Sequence, residues 1–126
     1  MSKISSGLIG DFPYSIWEDN TMGHLCGYLG IPPAHPWYGR DYNSIDADIH
    51  GGLTYSSYRF HEFSELDIWW VGFDCAHAGD WTNFYATYPE SGLHKWTPDE
   101  VLDELGKLAE QAYEAQTQMQ TSNKHT

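Results

Sequence analysis

Trp69-Trp70-Val71-Gly72-Phe73-Asp74-Cys75-Ala76-His77-Ala78-Gly79-Asp80 is an apolar run that stops in a carboxylate, a thiol, an imidazole and a second carboxylate. The run from Leu66 to Phe73, with its two tryptophans, reads as a buried strand, and Gly79 punctuates the turn after it. Polar groups crowded at the end of a buried strand need hydrogen bonds, a ligand or a metal to offset their desolvation. Taken singly, Asp74 reads as a cap on turn amides and His77 as a satisfied structural histidine. Taken as a set, they read as a site.

Working outward, Leu53 to Phe60 reads as a strand of mixed alternation, and His61-Glu62-Phe63-Ser64-Glu65 as a polar connector. A short connector between two strands predicts an antiparallel hairpin. Its register sets Leu53 opposite Phe73 and brings His50 near Ala76. His24 to Ile31 reads as an earlier strand. If it runs antiparallel to the Leu53 strand, Ile31 lies at the same end. The loop Pro32-Pro33-Ala34-His35-Pro36-Trp37-Tyr38-Gly39-Arg40-Asp41-Tyr42 would then roof that end. Its three prolines and glycine exclude helix and central strand. Residues 1 to about 20 read as an irregular lead-in, because Gly7, Gly10 and Pro13 break any pattern. The stretch from Trp81 to Trp96 reads as loop with at most a short strand.

Thr97-Pro98-Asp99-Glu100 is a helix start, with Thr97 as N-cap, Pro98 in the first turn and Glu100 closing a capping box. Val101, Leu105, Leu108 and Ala112 then form an apolar stripe, widened by Leu102 and Ala109. Asp103, Lys107, Glu110 and Glu114 occupy the opposite face. The predicted fold class is α+β, a small antiparallel sheet packed against one long C-terminal helix. A single globular domain is expected over residues 1–116. The helix is expected to end near residue 116, leaving 117–126 as a polar, frayed tail.

The chain has 126 residues, with 18 acidic and 6 basic side chains and a formal net charge of −12. This argues against nucleic acid and anionic membrane as partners, since each needs a basic face. No apolar run approaches the ~18 residues expected of a transmembrane helix, and the N-terminus lacks a signal-peptide pattern. Two cysteines, Cys26 and Cys75, form no Cys-x-x-Cys pair. A cytoplasmic, reduced protein is expected. Self-association of copies stays open.

The candidate ligand-binding residues are His35, Trp37, Tyr38, Arg40, His50, Gly51, Asp74 and His77. Aromatic faces suit stacking on a ring, Gly51-Gly52 allows close backbone approach, and Arg40 suits a phosphate or carboxylate. Mixed imidazole and carboxylate sets also suit zinc, iron or manganese, but Asp-x-x-His-x-x-Asp is not a specific signature. Neither metal nor cofactor is expected. Cys75 with a histidine base could act as a nucleophile, although a buried cysteine is more often a small hydrophobe. Asp74 with His77 is a candidate acid–base pair.

Three blocks, Gly27 to Gly39, His50-Gly51-Gly52-Leu53-Thr54-Tyr55 and Trp69 to Asp80, together resemble a recurrent family of small uncharacterised proteins encoded by phages and prophages. The resemblance spans roughly residues 23 to 81. It implies a setting rather than a mechanism: an accessory protein in the cytoplasm of an infected host cell. The expected function is binding and sequestration of a small nucleotide-like or polar aromatic ligand, a host defence signal among the candidates. One alternative is a small metal-dependent or acid–base enzyme using His50, Asp74, His77 and Asp80. Another is an acidic inhibitor of a host defence factor.

Overall fold

A computed structural model describes residues 1–58, 67–77, 79–82 and 93–123. Among them are strands β1 (Ser2–Ile9), β2 (Phe12–Glu18), β3 (Leu25–Ile31), β4 (Tyr55–Ser57) and β5 (Trp69–Asp74), a 3-10 turn at Tyr42–Ser44 and one α-helix, α1 (Pro98–Asn123). The strands form one antiparallel sheet in the order β1-β2-β3-β5-β4. This is the α+β class expected from sequence. The predicted connector 61–65 and most of 81–96 lie outside the described residues.

The N-terminal twenty residues are not an irregular lead-in; they form the β1–β2 hairpin. The apparent breakers serve its turn. Gly10, with φ 59°, and Asp11 link the paired Ile9 and Phe12, matching the positive φ that two-residue hairpin loops require. Pro13 pairs with Leu8 beside this turn.

Strand alternation sorts side chains onto two faces. Leu29 and Ile31 of β3 pair with Val71 and Trp69 of β5 on the helix side, where Leu25, Phe73, Ile16 and Phe12 join them in one core. Val101, Leu105, Leu108 and Ala112 of α1 are fully buried against it, and Asp103, Lys107, Glu110 and Glu114 are exposed as the pattern predicts. Val101, Leu105 and Leu108, each fully buried, contribute about 1.5–3 kcal/mol of transfer free energy apiece. The opposite face carries a second cluster, Trp17, Cys26, Tyr28 and Trp70. Here the Tyr28 ring lies against Gly72, where a Cβ would come within 2.5 Å of it.

That contact explains a register correction. Tyr55 pairs with Gly72, not with Val71, one residue from the predicted hairpin register. A one-residue slip moves every side chain to the other face. Tyr55 thereby packs edge-to-face on Tyr28, with ring centroids 5.3 Å apart, above the space that Gly72 leaves open.

The helix begins as expected. Glu100 N–H donates to Thr97 Oγ1 (3.2 Å), and Thr97 N–H donates back to Glu100 Oε1 (3.0 Å), a reciprocal capping box. It runs to Asn123 rather than ending near residue 116. No glycine or proline interrupts 116–123, and the glutamines and methionine there favour helix.

Candidate functional site

The eight predicted residues separate into two groups at opposite ends of the sheet. The reason is strand order. β5 lies between β3 and β4 and runs antiparallel to both, so β3 and β4 run the same way. Ile31 pairs with Trp69, whereas Asp74 pairs with Cys26. The loop after Ile31 therefore leaves the sheet far from the Asp74 turn and does not roof it.

His35, Trp37, Tyr38 and Arg40 make contacts within that loop and with the elements beside it. His35 and Trp37 are buried. Trp37 N–H donates to His35 Nδ1 (2.9 Å), which leaves the proton on Nε2, and this donates to the Ala112 carbonyl (2.7 Å). Tyr38 hydroxyl donates to Asp67, and the Arg40 guanidinium to the Ser44 carbonyl. The His35 ring thus clamps the loop to the helix. Burial lowers the pKa of His35, against a smaller opposing effect of the Ala112 carbonyl. Protonation would also place a second N–H against the Trp37 amide.

Because the unfolded ring takes up protons at its ordinary value, the unfolded state binds more protons than the folded one in mild acid. This contribution to stability is complete above about pH 6.5. It declines as pH falls from there through the lower folded pKa. Urea unfolding at about pH 7.5 and about pH 5.5 should show wild-type protein losing stability over that interval. His35→Gln, weaker at both values, should lose less. An equal or larger loss in the variant would show that His35 is not the sensor.

The second group does converge. His50 and His77 stack edge-to-face, with ring centroids 5.7 Å apart. Asp80, which is 4% exposed, organises them. His50 Nε2–H donates to Asp80 Oδ2 (2.7 Å), His77 backbone N–H donates to the same oxygen (3.0 Å), and Trp96 Nε1–H donates to Oδ1 (3.0 Å). Burial pushes the Asp80 carboxyl up, but these donors outweigh it and hold it below the ordinary carboxylate range. Asp80 is therefore an acceptor only. It fixes the His50 proton on Nε2 and leaves Nδ1 of the neutral ring as a lone-pair acceptor. The Trp96 ring flanks His50 at 4.5 Å between centroids.

Two further contacts fix the loop carrying His50. His50 backbone N–H donates to Glu104 Oε1 (2.7 Å), a buried carboxylate of α1. Gly51 has φ 69°, and a Cβ there would fall 2.2 Å from the His77 ring. Asp74 is half-buried and partly a turn residue: its Oδ1 accepts from Ala76 N–H and its Oδ2 from Thr54 Oγ1, each at 3.1 Å. His77 Nε2 lies 3.3 Å from Asp74 Oδ1 without hydrogen-bond geometry.

Trp96 and Glu104 are site residues that sequence reading missed. Glu104 had a signal. It is a carboxylate three residues after Val101, on the stripe that the helix buries. Cys75 is buried, and burial raises its pKa far from a thiolate, so it packs as a small hydrophobe. Among the described residues, no three or more His, Cys, Asp and Glu side chains are placed to hold a metal ion. Nor is any helix long and apolar enough to cross a membrane.

Compared with protein-family models, curated proteins and solved structures, the chain finds no match.

Proposed function

We propose that this chain captures a small polar, ring-bearing ligand at the His50–His77–Trp96 surface and holds it unchanged. The observation that carries the reading is the His50 imidazole. Asp80 locks its tautomer, and two aromatic rings flank it. A fixed acceptor beside ring faces complements the N–H edge of a nucleobase or a similar heterocycle. Asp74 and Asp80 stand close by in a chain of net charge −12. The contacting part of the ligand is therefore uncharged or cationic, and any phosphate points away. The likeness of the three sequence blocks to phage-encoded proteins supports an accessory role in an infected cell, with a defence signal as ligand.

Heat-denaturing freshly purified protein and analysing the released compounds by mass spectrometry tests this. One intact heterocyclic compound per chain is expected. His50→Ala should weaken its retention by about 0.5–1.5 kcal/mol, the worth of one hydrogen bond. Chelator treatment should leave retention unchanged. Retention unaffected by His50→Ala would remove this surface from consideration.

A second reading rests on the same dyad. A buried carboxylate orienting an imidazole is the arrangement by which a histidine serves as general base. On that reading His50 Nδ1 accepts a proton from the ligand while Asp80 stays ionised. Recovery of a compound chemically changed from the one supplied would favour this enzyme over simple capture.

A further inference from the structure

At the other end of the sheet, a cavity of about 390 Å³ opens between the loop after β3 and the C-terminal half of α1. Its lining includes Trp37, Arg40, Asp46, Gln111, Glu114 and Gln118. The volume lies in the range of small-molecule sites. Its walls are fixed from both sides. Gln111 Nε2–H donates to the Asp48 carbonyl (2.9 Å) while Gln111 Oε1 accepts from Asp48 N–H (2.7 Å), tying the 46–48 segment to the helix. The Arg40 carbonyl accepts from the Trp69 indole (2.8 Å), and the Arg40 guanidinium is held by the Ser44 carbonyl.

The charges are the informative part. A guanidinium and two carboxylates line one cavity, yet among the described residues Arg40, Asp46 and Glu114 form no ion pair with one another or with any other group. A free anion would be attracted by Arg40 and repelled by Asp46 and Glu114. A simple cation meets the reverse. A molecule bearing both charges a few bonds apart satisfies all three. We propose that this cavity binds a small zwitterion, an α-amino acid or close analogue, with its carboxylate on Arg40 and its ammonium on Asp46 and Glu114. The planar fork of Arg40 suits a carboxylate, and Trp37 supplies an apolar wall for the rest of the molecule. This site shares no residue with the His50 surface.

The test is a two-dimensional NMR titration of the whole chain, following the Trp37 indole N–H, the Arg40 Nε–H and the Gln118 amide. The probes are L-glutamine, L-leucine and L-lysine, with acetate and methylamine as single-charge controls. At least one amino acid should produce saturable shifts by about 10 mM, the scale of a weak small-molecule site. Either control should bind at least about tenfold more weakly. Arg40→Ala and Glu114→Gln, both at exposed positions, should each abolish or strongly reduce saturation, and His50→Ala should leave it intact. Absence of saturation with all three amino acids would overturn the proposal. So would equal binding of acetate or methylamine, or shifts that persist in both cavity variants.

Discussion

Asp80→Ala is expected to destabilise the protein by roughly 2–5 kcal/mol, since each donor left without its carboxylate acceptor costs about 1–3 kcal/mol. The carboxylate is 4% exposed and accepts from His50 Nε2–H, His77 N–H and Trp96 Nε1–H. Truncation leaves three donors facing a small cavity. It also detaches Trp96, the residue immediately before the Thr97 cap, so the start of α1 loosens with the site. Asp80→Asn keeps the shape and at least one acceptor and should cost clearly less. Urea unfolding of both variants measures the difference, and a loss below about 1 kcal/mol for Asp80→Ala would mean that water replaces the carboxylate easily. The pH dependence has the sign of a depressed acid. The contribution of Asp80 is present above its ordinary value of 3.8 and is lost as pH falls through the lower folded value.

Gly51→Ala should cost nearly as much, and for a different reason. At φ 69° a side chain adds about 1–2 kcal/mol of backbone strain. The new methyl would also sit 2.2 Å from the His77 ring, and forcing extra volume into a packed contact costs about 1–3 kcal/mol more. Gly52 supplies the control. Its φ is 76°, but nothing lies within 4 Å of a Cβ there, so Gly52→Ala should show the backbone cost alone. The two variants separate strain from collision. Only Gly51→Ala should displace His77 and thereby change the NMR signals of the His50 ring. Equal destabilisation by both would show that the His77 ring moves aside freely.

The sequence revealed local chemistry better than long-range order. The Thr97–Glu100 box and the Val101–Ala112 stripe depend on spacings within one helix, and both are realised. The approach of His50 to His77 followed from a single antiparallel pairing and tolerated a one-residue error in register. The roof over that site failed because it needed a second assumption, the direction of β3 relative to β4. Insertion of β5 between them reverses the geometry, and nothing local encodes that insertion. The β1–β2 hairpin was hidden by residues whose usual meaning is interruption. Gly10 and Pro13 mark a tight turn and its flank, not an absence of structure. Asp80 was visible as a carboxylate, but its role appears only when His50 and Trp96, from two other segments, meet on it beside the His77 amide of its own turn.

Helix α1 holds both ends of one loop run: Glu104 holds the His50 amide, and the Ala112 carbonyl holds the His35 ring. Eight residues of helix place these points about 12 Å apart. Between them the run from His35 to His50 is fastened to the helix again, by Gln111 on the Asp48 backbone, and to the sheet by the Arg40 carbonyl on Trp69 and the Tyr42 amide on Ser56. Such a segment has no hinge of its own. For its amides to exchange with solvent through a large opening, the helix must lift from the sheet, so loop and helix form one cooperative unit. Anything that stiffens one end of this span, a ligand included, slows the opening of the other, although the two ends share no contact.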